Sequence, residues 1–289
     1  MLPVTVVILT YNEEGSLPKC IASIRNVCDD IHILDSGSTD QTIAVAKSMG
    51  VSIHTNSFSG FGDQRNWAID NIPHRYDWVL HLDADEEVTP EFVQELQGVV
   101  TADLSEAGFF VPSLTLMQGR PLRYSQGLVF QVRLFHKNRL RFQNAGHGQK
   151  HVTDGAIGRM TTPYLHHAFS KGIQHWLQKH AAYAVLEADS ATHSKISIFA
   201  AVVNVLSSDP IKRRQSLKSL SRMLPFRGQL RFFHILILRR GFMDGRAGLL
   251  YSNMLGIYES MIATASQYRE LEPKLESHPN LVCAVRSEQ

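Results

Sequence analysis

Asp83 and Asp85 are separated by one alanine at the end of the run Trp78-Val-Leu-His-Leu. That spacing offers acceptor oxygens to a hard divalent cation, and Mg²⁺ or Mn²⁺ bound there would keep positions open for phosphate. Taken alone, the pair has a plainer account as solvated carboxylates near the start of the following helix. Two further polar clusters change the weighing: Thr10-Tyr11-Asn12-Glu13-Glu14 and Asp35-Ser36-Gly37-Ser38-Thr39-Asp40. Asp35 suits a ribose hydroxyl or a base edge, and Gly37 lets the backbone approach a ligand closely. Turn and helix-cap chemistry accounts for Asp40 but not for Asp35.

These clusters need a scaffold that brings them together. Val4 to Leu9 is almost wholly β-branched or aliphatic, as in a parallel strand covered on both faces. Leu17, Cys20, Ile21, Ile24 and Val27 follow at helical spacing, and Ile31 to Leu34 is a second apolar run ending at Asp35. Ile43 to Met49 predicts another helix, Val51 to His54 a third strand, and Trp78 to Leu82 a fourth. Four βα units in the first hundred residues imply a doubly wound, mostly parallel α/β sheet. Ligands of such sheets bind beyond the carboxyl ends of the strands, where all three polar clusters fall.

Beyond residue 100 the pattern loosens to short candidate strands at Phe109 to Val111 and Val129 to Phe135. Helical spacing returns at 173–194, at 196–224 and at 249–268, and Pro273 and Pro279 mark a frayed tail. The expected organisation is an α/β domain over 1–170, in two halves at 1–100 and 101–170, then a helical region at 171–289.

Of the 289 residues, 44% are apolar, which suffices for a sizeable core. The net charge of +2 argues against a whole-protein nucleic-acid binder. Cys20, Cys28 and Cys283 cannot form a disulfide framework and fit a reducing compartment. The opening has no basic n-region or cleavage site, so no signal peptide is expected, and no apolar run reaches the roughly 20 residues that span a bilayer.

The segments Val-Thr-Val-Val-Ile-Leu-Thr-Tyr-Asn-Glu-Glu, Asp-Ser-Gly-Ser-Thr-Asp, Phe-Gly-Asp-Gln-Arg-Asn and Leu-Asp-Ala-Asp-Glu stand in this order. With them the chain resembles a family 2 glycosyltransferase of the GT-A fold, most of all the lipopolysaccharide-core β-glucosyltransferases and related exopolysaccharide enzymes. The likeness continues more weakly through Gly119-Arg120, Arg133-Leu-Phe, His147 and Leu165-His166-His167. It implies an inverting, metal-dependent hexosyltransferase with a nucleoside-diphosphate sugar donor, UDP in the first instance. Thr10, Tyr11, Asn12 and Glu13 would line the nucleoside pocket, Asp35 would contact the base, and Asp83 would meet the ribose or the metal. Asp85 would bind the metal bridging the diphosphate, with Arg65 and Arg133 on the donor. A planar guanidinium suits phosphate oxygens, and a surface helix charge is the lesser, competing account of Arg65. His166 would complete the metal shell, with His167 as substitute. A structural pair of histidines is the competing account.

The catalytic base is the weakest point of the likeness. Related enzymes carry His-Glu here, whereas this chain reads His147-Gly148, so His147 serves as base or a carboxylate such as Asp154 or Glu86 moves in. A loop histidine bonded to backbone competes with that role.

Ten Lys or Arg between Lys212 and Arg246 face one acid, Asp244, giving +9 and leaving −7 on the rest of the chain. With Met223, Leu224, Phe226 and Phe232 interleaved, this composition suits an anionic membrane interface. A packed helix with a solvated arginine face and a nucleic-acid patch are the alternatives. The expected enzyme is cytoplasmic, peripheral on the inner face of the membrane, and acts on a polysaccharide or lipid-linked glycan. Against it stand a nucleotidyltransferase, whose Gly-rich basic loop is absent, and a membrane-docked nucleotide-sugar-binding scaffold that has lost its base.

Overall fold

A computed structural model describes residues 1–145, 148–192 and 225–271. The chain divides into two compact units, one of Met1–Arg123 and Gly127–Ser170, the other of Tyr124–Gln126 and the chain from Lys171.

In the first unit Val4–Thr10 forms β1, buried at every residue but Leu9. Alternate side chains serve two cores. Val4, Val6 and Ile8 pack with Leu17, Cys20, Ile21 and Ile24 of α1 (Leu17–Ile24), while Val7 packs with Ala68 and Ile69 of α3 (Phe61–Asn71). Between them run β2 (Asp30–Asp35), α2 (Thr42–Ser48) and β3 (Ser52–Thr55), and β4 (Trp78–Asp83) follows α3. Strands β2 and β4 flank β1 in parallel, with Thr10 level with Asp35 and Leu9 level with Asp83. The two aspartates thus stand at the same sheet edge, one on each side of β1.

After β5 (Glu86–Glu87), α4 (Pro90–Val100) starts at a Thr89 cap, whose hydroxyl accepts from Phe92 N at 3.2 Å, with proline in the first turn. Then come β6 (Gly108–Met117), β7 (Arg120–Pro121), β8 (Leu128–His136), β9 (Arg141–Ala145), β10 (Gly148–Val152), β11 (Ile157–Arg159) and β12 (Tyr164–His166). The main sheet runs β3-β2-β1-β4-β8-β6-β12-β5, and β8 is antiparallel to both of its neighbours. The chain therefore adopts the expected class, a mostly parallel α/β sheet flanked by helices with a helical C-terminal extension.

Strands β6 and β8 outrun the short segments expected from apolar periodicity. Pro112 obscured β6 in the sequence, since proline breaks a ladder. The fold accommodates it because β11 pairs with residues 108–110 and β12 with residues 113–115, leaving Pro112 in the gap on that side.

The second unit contains α5 (Gly172–Thr192), α6 (Arg227–Phe233), a π-helical turn at His234–Leu238, a 3₁₀ turn at Gly241–Asp244 and α7 (Gly245–Leu271). A Cβ on Gly228 would lie 2.6 Å from Gly256 O, so glycine permits the α6–α7 crossing. Arg227 bridges to Glu259 at 2.7 Å and Arg269 to Asp189 at 2.6 Å. The helix expected at 196–224 and the tail with Pro273 and Pro279 lie outside the described residues. Among the described residues no helix is long and apolar enough to cross a membrane.

Candidate active site

The loops after β1 and β2 are laced together. Asn12 takes a left-handed φ of 53°, which asparagine tolerates, and its Oδ1 accepts from Thr39 N at 2.8 Å while its own N–H donates to Ser38 Oγ at 2.8 Å. Glu13 N donates to Thr42 Oγ1 at 2.7 Å, and Gln41 N donates to Glu14 Oε2 at 2.8 Å. Asp40 accepts from Thr42 N at 2.9 Å in the turn that leads into α2, whose N-cap position is Gln41.

Asp35 is buried and its oxygens are occupied. Thr10 Oγ1 and Ser38 Oγ donate to one oxygen at 3.0 and 2.5 Å, and the Gly37 and Ser38 N–H groups donate to the other at 2.8 Å each. Gly37 has φ +95°, and this turn therefore favours glycine. Asp35 shapes the loop, and half-buried Tyr11 lies on the facing loop.

Across β1 lies a buried ionic cluster. Arg133 donates from Nη1 and Nη2 to the two oxygens of Asp83 at 3.0 and 2.5 Å, and from Nη2 to Glu86 Oε1 at 2.7 Å. Arg65 donates from Nη2 to Asp83 Oδ1 at 3.1 Å and from Nε to Gln149 Oε1 at 2.7 Å. Asp83 N–H donates to Glu86 Oε2 at 2.8 Å. The side chains of Arg65, Arg133 and Glu86 are 2%, 3% and 1% exposed, whereas 31% of the Asp83 side chain is exposed.

Burial opposes ionisation of Asp83, yet Arg133 and Arg65 hold its carboxylate far below the usual range. Burial pushes Glu86 upward, with Asp83 adding to the push and Arg133 opposing it. Burial and the neighbouring Arg133 lower Arg65 to about 10, so it remains a cation at neutral pH. Arg65 Nη1 and Arg133 Nε are buried without an acceptor among the described residues, which leaves the cluster unused donor capacity.

Helix α3 supplies Arg65; Ala68 and Ile69 pack it on the core, and hydrogen bonds to β9 fix its first turns. Gly62 N donates to Asn144 Oδ1 at 2.8 Å, and Asn66 exchanges bonds with the Phe142 backbone at 2.7 and 2.9 Å. A Cβ on Gly62 would lie 2.7 Å from Asn144 N.

The metal set expected from the sequence is divided. Asp83 is taken up by guanidiniums, while Asp85 Oδ2 faces His166 Nε2 at 3.3 Å, with the two side chains 21% and 30% exposed. Burial alone would lower the His166 pKa, but Asp85 beside it, with Glu86 and Asp83 behind, raises it to about 9. A carboxylate and an imidazole held together in this way, both open to solvent, form a donor pair that fits a divalent cation in place of the shared proton. Among the described residues no group of three His, Cys, Asp or Glu is arranged as a metal cage. His167 pairs elsewhere, with Glu87 Oε2 at 2.9 Å, where Lys19 also bridges at 2.9 Å. These residues and Asp85 line a cavity of about 190 Å³.

His147 lies outside the described residues. Its neighbours Ala145 and Gly148 pair across β9 and β10, and Gln149 brings that hairpin to Arg65. Glu86, the carboxylate weighed as an alternative base, is buried and engaged by Arg133 and by the Asp83 N–H. Sequence reasoning missed the anchoring by Gln149 and Glu86, because neither polar residue belongs to a periodic pattern.

A model of the family described as glycosyl transferase family 2 matches residues 5–161. An uncharacterized glycosyltransferase of Rickettsia typhi is 27% identical over 154 residues, 52% of each chain. The lipopolysaccharide core biosynthesis glycosyltransferase LpsC of Rhizobium meliloti is 27% identical over 204 residues, 67% of this chain and 73% of that one. A solved structure of glucosyl-3-phosphoglycerate synthase from Mycobacterium tuberculosis, in complex with Mn²⁺, UDP and glucosyl-3-phosphoglycerate, is 20% identical. It covers 66% of this chain and 79% of that one, with a TM-score of 0.45. The chain spans about half the length of the Rickettsia typhi relative, and about a third of the other Rickettsia relatives it matches.

Proposed function

Because the chain belongs to glycosyl transferase family 2, we propose that it transfers one sugar, with inversion, from a nucleoside-diphosphate donor onto a glycan or lipid-linked acceptor. UDP is the first nucleotide to try. One observation carries this reading: Asp83 is gripped by two buried guanidiniums, keeps part of its carboxylate exposed, and stands across β1 from the laced loops of Asn12 and Asp35. A nucleoside fits against those loops, with Thr10, Tyr11, Asn12 and Glu13 on one side and Gly37 on the other. Asp83 then meets the ribose, and Arg65 and Arg133 hold it in place while setting positive charge beneath the diphosphate. Asp85 and His166 are the residues that would hold Mg²⁺ or Mn²⁺, which when bound offsets charge on the departing diphosphate. His147 takes the proton from the acceptor hydroxyl. The relative named for lipopolysaccharide core biosynthesis supports an envelope glycan as acceptor.

Nucleoside-diphosphate sugars, offered with and without Mn²⁺, test the reading by thermal stabilisation and by release of the diphosphate without acceptor. The expected result is metal-dependent stabilisation by a UDP-sugar together with slow release. If no donor stabilises the chain under either condition, the reading is refuted. His147→Ala should depress turnover far more than donor binding, and an unchanged rate constant removes His147 from the mechanism.

A further inference from the structure

In the second unit the chain turns a sharp corner between α6 and α7. The π-helical turn ends at Leu238, Arg240 takes a left-handed φ of 60°, and Gly241 is buried so tightly that a Cβ would lie 2.7 Å from Ile235 O. This corner pushes two consecutive apolar pairs outward: Ile237 and Leu238 are 55% and 76% exposed, and Phe242 and Met243 are 59% and 51% exposed. Arg239 and Arg240 lie between the pairs. From Phe226 to Leu250 the cations are all arginine, and the single acid is Asp244. Asp244 faces inward, accepting from Ser125 N at 2.7 Å, Ser125 Oγ at 2.6 Å and Tyr124 N at 3.0 Å. Arg227 is paired with Glu259, and Arg239 donates to Gln126 O. Arg240 and Arg246 are exposed, with no carboxylate at ion-pair distance among the described residues.

We infer that this corner is a docking surface for an anionic lipid bilayer, with Ile237, Leu238, Phe242 and Met243 entering the head-group boundary and Arg240 and Arg246 meeting lipid phosphates. Charge complementarity selects the partner. Consecutive exposed apolar side chains flanked by guanidiniums match a surface that is apolar a few ångströms down and anionic on top. A second copy of this face would set arginine against arginine, since its one acid is engaged by Tyr124 and Ser125. A nucleic-acid backbone would satisfy the arginines but would offer Ile237, Leu238 and Met243 nothing to bury against. The inference is independent of the donor crevice, although a lipid-linked acceptor would give it a purpose.

The full chain should cosediment with vesicles of phosphatidylcholine and phosphatidylglycerol but not of phosphatidylcholine alone, and the binding should weaken as salt rises. Leu238→Glu with Phe242→Glu should lower the bound-to-free ratio roughly tenfold, and Arg240→Gln about fivefold. Each variant is checked for an unchanged melting temperature and an unchanged response to UDP. Arg240→Gln, an exposed change, keeps the test alive if the double variant unfolds. Equal binding to neutral vesicles, insensitivity to salt, or variants that bind like the parent would overturn the inference. So would lipid-independent dimerisation abolished by Leu238→Glu, which assigns the face to a second copy. Loss of the UDP response with lipid binding intact would count against the proposed activity and not against this surface.

Discussion

Arg65 and Arg133 lie almost wholly buried among carboxylates, whereas Arg240 and Arg246 stand exposed beside apolar side chains with no carboxylate at ion-pair distance among the described residues. The same guanidinium chemistry gives two different devices. In the crevice, Arg133 is committed, since Asp83 and Glu86 take the donors of its two terminal nitrogens, and it acts as a strut that fixes Asp83. At the corner the charge is free to meet an external anion, and its strength there depends on ionic strength. The lesson is energetic: a charge removed from water is committed to its partners, and only one left in water can recruit new ones.

The contrast is most exposed to failure at Arg133. Arg133→Ala leaves Asp83 and Glu86 buried without their shared cation and should cost about 3–5 kcal/mol in urea unfolding. A loss no greater than that of an ordinary surface substitution would show that the cluster is solvated.

A smaller effect is expected from His81, buried two residues before Asp83 with neither ring nitrogen bonded among the described residues. Burial, with Arg65 adding, holds its pKa well below the ordinary histidine value. A histidine depressed in the folded state is neutral there, so its contribution is intact above the unfolded value of about 6.5 and is lost as pH falls below it. His81→Leu should therefore flatten the acid side of the stability profile by thermal melts between pH 7 and pH 5, and an unchanged slope would place the loss elsewhere. The smallest effect belongs to the corner. Arg246→Gln should move stability by less than about 0.5 kcal/mol, and a larger loss would mean that this arginine is structural after all.

Much of the first unit was legible because its strands are driven by burial. Residues 4–9 are apolar but for Thr5 and rich in β-branched side chains, as in a strand enclosed by two layers. Helix α3 was not legible as a packed element. Its residues Asp63, Gln64, Asn66 and Asp70 interrupt the apolar pattern, and the bonds of Asn66 and Gly62 to β9 add to the packing of Ala68 and Ile69. Hairpin β9–β10 escaped for the same reason, since Gln143, Asn144, Gln149 and Lys150 pair through backbone and not through a hydrophobic face.

The residue order by itself determined that polar clusters follow β1, β2 and β4, because parallel strands deliver their carboxyl ends to one edge. It also determined that basic and apolar residues concentrate after Lys212. Only the tertiary structure decided how the aspartates divide their work, with Asp83 clamped by guanidiniums from α3 and β8 and Asp85 facing a histidine from β12. Only the turn of the backbone at Arg240 and Gly241 decided which apolar residues of the basic stretch point outward. The reason is range: burial patterns are written in neighbouring residues, whereas these ion pairs join positions 18 to 81 apart and depend on how the packed elements meet.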